Sequence, residues 1–190
     1  MHKNKKLIPI EENNIITSTN IKSNGSFGGI NMNTQNNRLT INKIKAKEDF
    51  ECTKTLLENY RMIVWTLKFF SDNNNVITDT QSIQSTIRTC PQAKSLLQAI
   101  NQAVKQIRYK PDDGEDMFEI INKAYIDKCK ISNEKICEEM YISEAHFYRK
   151  KKLAIKLISE RIWNSSHKDV DSWRKFVEAL DDNRQRKKVS

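Results

Sequence analysis

From Lys47 to Leu180 apolar residues return every three or four positions, and this period predicts a chain of packed α-helices with almost no strand signal. Leu56, Tyr60, Ile63, Leu67 and Phe70, widened by Leu57 and Val64, mark one amphipathic helix over 47–71. A weaker helix follows over 79–88, after the polar run Asp72-Asn73-Asn74-Asn75. Pro91 suits a first helical turn, and Leu96, Leu97, Ile100, Val104 and Ile107 extend a helix over 91–108 that stops before Pro111. Asp112-Asp113-Gly114 reads as a turn, and Met117, Phe118, Ile121, Ala124 and Tyr125 place a further helix over 115–127. After a break at Asn164-Ser165-Ser166-His167, Val170, Trp173, Phe176, Val177 and Leu180 give a last short helix over 169–180.

The two ends read differently. Residues 1–46 hold three of the four glycines, many asparagines and few large apolar side chains, so they bury too little to offset their ordering entropy and are expected to be disordered. Within them Leu39-Thr40-Ile41-Asn42-Lys43-Ile44 is read as coil leading into the first helix, with a lone strand as the alternative. Residues 181–190 are a charged tail, also expected to be disordered. The predicted organisation is a disordered basic tail (1–46), a helical N-terminal module (47–110), a second helical unit (111–163) and a short helix with a charged tail (164–190). The tail also accounts for an apolar content of 37%, low for a globular chain.

Lys and Arg number 33 against 24 Asp and Glu, a formal charge of +9 that favours polyanionic partners. No stretch approaches the roughly 20 apolar residues that span a bilayer. The basic opening Met1–Ile10 lacks a signal-peptide core, so a cytoplasmic, non-membrane protein is expected. Cys52, Cys90, Cys129 and Cys137 form no C-x-x-C pair and are read as reduced and structural. His2, His146 and His167 lie in unrelated settings, and no phosphate-loop, dinucleotide or zinc-protease motif occurs. No catalytic residue, metal or cofactor is predicted.

The functional signal lies between Ser132 and Ile162. Ser132 caps a short helix through Met140, Tyr141 and Ile142 separate it from Ser143, and Ser143 caps a longer helix that Glu144 favours electrostatically. Ile136, Cys137, Met140, Ile142 and Phe147 supply the inner positions of two closely crossing helices, with Cys137 as the small one. A helix of about nine residues, a tight turn and a longer helix make a helix-turn-helix, whose second helix enters the major groove of double-stranded DNA. Between Ser143 and Arg161 there are six cations and two anions. Glu144, Ala145, Tyr148 and Arg149 then point toward base edges, Arg149 suited to guanine and Glu144 to cytosine. Ser132, His146, Lys150, Lys151, Lys152 and Lys156 are expected to meet phosphates. Tyr148 has a second reading, as a half-buried packing residue.

The run Ile142-Ser143-Glu144-Ala145-His146-Phe147-Tyr148-Arg149-Lys150-Lys151-Lys152-Leu153-Ala154-Ile155-Lys156-Leu157 resembles the recognition segment of ArpU/RinA-type phage transcriptional regulators, whose DNA-binding part is similar to sigma-70 region 4. Gly114–Ile121 and Leu56–Tyr60 stand in the order that family shows, and the resemblance covers residues 50–163. It implies a small helical bundle ending in a helix-turn-helix, and an activator of phage late or packaging genes. The partners it implies are DNA and host RNA polymerase, with a homo-oligomer as a further expectation. Residues 111–163 are then the DNA-binding domain and 47–110 a module for oligomerisation or polymerase contact, although the apolar face at Leu56, Tyr60, Ile63, Leu67 and Phe70 also suits an intramolecular core. A small-terminase-like packaging protein and an alternative sigma factor are the other functional readings. One position departs from the family: where Leu-Gly-Ile-Ser is usual, this chain has Met140-Tyr141-Ile142-Ser143, so Tyr141 stands where a left-handed glycine is expected, and the turn is either remodelled or strained.

Overall fold

The computed structural model describes residues 32–72 and 83–189, with side chains in 38–69 and 83–183. Among the described residues are eight α-helices and no strand: α1 Met32–Glu58, α2 Tyr60–Asp72, α3 Ile83–Thr89, α4 Ala93–Ile107, α5 Gly114–Ile121, α6 Asn133–Glu139, α7 Glu144–Trp163 and α8 Val170–Val189. The architecture is all-α, as the helical period predicts. No helix among the described residues is long and apolar enough to cross a membrane.

Four boundaries depart from the sequence expectation. The first helix begins at Met32 and not at 47, so residues 32–46, including Leu39–Ile44, are helical; they are neither coil nor strand nor disordered. Residues 38–48 are exposed, and the helix there extends from a packed segment downstream, where each added residue needs no new nucleus. The remainder of the expected tail, residues 1–31, lies outside the described residues, as do 73–82. The expected single helix over 47–71 is marked off into α1 and α2 at the one residue Asn59, through which the helical bonds from Asn59 N–H to Thr55 O (3.1 Å) and from Ile63 N–H to Asn59 O (3.0 Å) continue; Asn59 Nδ2 also donates to Thr55 O at 2.8 Å.

The helix expected over 115–127 keeps α-geometry only to Ile121, and Asn122–Ile126 form one wider π-helical turn. α8 continues through the charged residues to Val189, so 181–189 are helical where disorder is expected.

The main core crosses the expected domain boundaries at 110 and 163. It joins Leu56, Leu57 and Ile63 with Leu96, Ile100 and Val104, and also takes in Met117, Ile121, Ile158, Trp163, Trp173 and Leu180. α7 is the reason, because it packs at once against α1, α4 and α5. Between α4 and α5 the chain turns sharply, with Asp112 left-handed at φ 68°. Gly114 is demanded there by close approach: a Cβ would stand 2.6 Å from Arg108 O and 2.7 Å from Ile107 O. A second, smaller cluster, Ile120, Ile136, Cys137 and Phe147, seats α6 on α5 and α7.

Candidate nucleic-acid interface

Both helices of the 132–163 segment are capped by serine. Ser132 Oγ accepts from Lys135 N at 3.2 Å, and Ser143 Oγ accepts from His146 N at 3.3 Å; both serines hold extended backbone angles. The connection between them closes in a defined way. Tyr141 N–H donates to Glu138 O at 3.2 Å and Ile142 N–H donates to Cys137 O at 3.0 Å. These are the two bonds of a Schellman C-cap, with Tyr141 as its left-handed residue at φ 54°. The glycine-type turn is therefore kept with a tyrosine in it. The cost to a non-glycine residue, about 1–2 kcal/mol, is not recovered by packing, since the Tyr141 side chain is 95% exposed. What holds the turn is Ile142, which packs with Met140 and Ile131 against Ile136, Cys137 and Phe147.

The lysine run of α7 splits between two faces. Lys150, expected at phosphates, points inward and is only 6% exposed. Its ammonium donates to Asp116 and lies 2.9 Å from Asp113 Oδ1. Burial pulls the Lys150 pKa down, but the hydrogen bonds to Asp116 and Asp113 outweigh it and leave the pKa raised. The same contact holds the Asp113 carboxyl below its ordinary range. Lys150 thus ties α7 to the start of α5, and it leaves the set of expected phosphate ligands.

Lys151 is partly buried as well. Its Nζ sits 4.9 Å from the Tyr125 ring centre and 5.2 Å from that of Phe147, and donates to Asn133 Oδ1 at 3.4 Å. Burial lowers its pKa, and its stem covers the aromatic pair.

The outward face carries the others. Ala145, Tyr148, Arg149, Lys152 and Lys156 are exposed and recur at i, i+3, i+4, i+7 and i+11, one stripe along α7. Tyr148 is 50% exposed, its ring edge-on to Phe147 at 5.2 Å, so it both packs and presents its hydroxyl outward. Asn133 Nδ2 donates to that hydroxyl at 3.4 Å. Asn133, which spacing in the sequence does not single out, therefore brings the start of α6 beside the stripe. Its signal is its place one residue after the Ser132 cap, at the mouth of a helix N-terminus. Ser132 is exposed at the same edge, and Glu144 is exposed at the start of α7. His146 is half-buried, its Nδ1 3.2 Å from Arg149 Nη2, a contact that steers the guanidinium.

Asp113, Asp116 and His146 bring their ligand atoms within 4.8 Å of one another, a spacing compatible with a metal ion. The Lys150 ammonium already supplies the cation between the two carboxylates. Cys137 is buried in the smaller core with its thiol pKa pushed up by burial, which suits a packing role. No protein-family model, curated protein or solved structure is found to match this chain.

Proposed function

We propose that the chain is a sequence-specific binder of double-stranded DNA that acts through a helix-turn-helix, with α6 as the supporting helix and α7 as the one entering the major groove. The observation that carries this reading is the outward stripe of α7, where Arg149, Lys152 and Lys156 stand exposed on one face while the apolar residues and Lys150 face inward. A solvated charged helix has no need of the second feature, a capped short helix set against it by a tight turn and its own apolar cluster. Arg149 and Tyr148, on the first turns, are placed to read base edges, with Ala145 and Glu144 beside them. Lys152 and Lys156, with Ser132 at the start of α6, are placed to meet phosphates. In the role that the resemblance to ArpU/RinA-type regulators implies, this binding serves transcriptional regulation in a phage or prophage.

The test is selection of bound sequences from a random duplex pool with the full chain. Enrichment of one motif is expected. A variant with Tyr148, Arg149, Lys152 and Lys156 all changed to alanine should enrich none, and equal selection by both proteins would sink the assignment.

A further inference from the structure

We infer that the cleft between α1 and α7 is a second DNA-backbone site, in which Lys45 and Lys47 of α1 join Lys152 and Lys156 of α7 to hold the phosphates flanking the groove that α7 enters. The inference rests on the DNA-binding reading of α7 and adds to it a helix that reading does not use.

The cleft has a volume of about 670 Å³. Lys45 and Lys47 line one wall, Lys152 and Lys156 the other, and Phe50 and Ser159 lie between. Asp49, Glu51 and Glu160 line the cleft too, each beside a cation: Asp49 pairs with Arg174, Glu51 with Lys54 at 3.8 Å, and Glu160 with Lys156 of the cleft itself at 3.8 Å. Among the described residues Lys45, Lys47 and Lys152 enter no ion pair, and four lysines against three carboxylates leave the lining with a net positive charge. Like charges gathered in this way repel one another, and an anion placed between them relieves the repulsion.

Position decides which anion. Arg149 and Lys156 are two turns apart on the stripe, about 10 Å along the axis, close to the roughly 12 Å width of the major groove. With the first turns of α7 at the bases, Lys156 and the cleft beside it reach the rim, where a phosphate strand runs. α1 passes this rim with residues 38–48 exposed, and Arg38 and Lys43 extend its positive charge beyond the cleft.

The test is a salt titration of the full chain on a fluorescent random-sequence duplex of about 30 base pairs, three helical turns. Four proteins are compared: wild type, Lys45→Ala with Lys47→Ala, Arg149→Ala with Lys152→Ala, and Lys94→Ala with Lys105→Ala on the exposed face of α4. Each lost phosphate contact lowers the slope of log affinity against log salt by about one. The α1 pair should lower it by about two, with weaker binding at every salt concentration, and the α4 pair should leave it unchanged. A wild-type slope in the α1 pair, with a reduced slope in the α7 pair, overturns the cleft and leaves the α7 reading standing. An equal fall in the α1 and α4 pairs shows an effect of net charge and also overturns the cleft. A fall in the α1 pair with none in the α7 pair also overturns the cleft, since Lys152 is one of its four lysines, and counts against α7 as the groove helix, whereas no binding by wild type removes both.

Discussion

The indole Nε1 of Trp163 donates to Thr53 Oγ1 at 2.8 Å, a bond between the last residue of α7 and the C-terminal part of α1 across 110 positions of sequence. Both groups are buried, and the same hydroxyl donates to Asp49 O at 2.8 Å, so its donor and one acceptor lone pair are used. Arg174 of α8 pairs with Asp49 and lies over the Trp163 ring at 4.9 Å, which brings a third helix into the joint. The joint fixes the far end of α7 against α1 and so fixes the direction in which its exposed stripe points.

Thr53→Val keeps the shape and removes the oxygen, leaving a buried indole N–H with no acceptor. A loss of about 1–3 kcal/mol is expected, read as a lower urea midpoint with unchanged slope, while Thr53→Ser retains most of the stability.

Tyr141→Gly relieves the left-handed residue and gives up almost no packing. A gain of about 0.5–1 kcal/mol is expected in the same measurement, after allowing for the greater freedom of glycine in the unfolded chain. Tyr141→Ala, which also carries a Cβ, should show no such gain.

Lys150→Ala should lower stability by about 1–2 kcal/mol, since it removes a buried stem and its charged hydrogen bonds, with the exposure of both carboxylates keeping the figure modest. The salt dependence of DNA binding should not change in this variant. Lys152→Ala should do the reverse, weakening all duplexes alike with unchanged stability and lowering the slope by about one. Arg149→Ala should cost about 1–3 kcal/mol on the selected sequence and relax preference at one position.

Burial pushes the Tyr125 hydroxyl up to about 12, with Glu58 adding to the shift. An unfolded tyrosine ionises near 10, so between pH 10 and 12 the unfolded chain loses a proton that the folded chain keeps, and stability falls. Relative to Tyr125→Phe, the wild type should lose about 1–2 kcal/mol over that interval and the two should run parallel below it. Measuring the difference removes the contribution of Lys151, whose lowered pKa acts in the opposite sense.

The helical elements were legible because burial repeats: Leu96, Ile100, Val104 and Ile107 sit on one side of α4 and are buried there. The inner set Ile136, Cys137, Met140, Ile142 and Phe147 was equally legible, and the structure gathers all five into one cluster. The start of α1 and the end of α8 were not legible, since their residues are mostly polar and carry no apolar period, and residues 38–48 are exposed.

For the lysine run, Lys150 to Lys152, composition registers three equal charges and tertiary structure makes them unequal. Lys150 falls three residues after Phe147 and four before Ala154, on the apolar stripe, and the carboxylates that make such burial tolerable lie 34 and 37 residues earlier, at Asp116 and Asp113. Sequence by itself determined that the chain is helical, the Ser132 and Ser143 caps and the inner set around Phe147, because local bonding and a 3.6-residue period decide these within a few turns of chain. Only the tertiary structure decided which cations remain free and that α1 flanks α7, because charge pairing and burial depend on what distant segments bring to the same few ångströms.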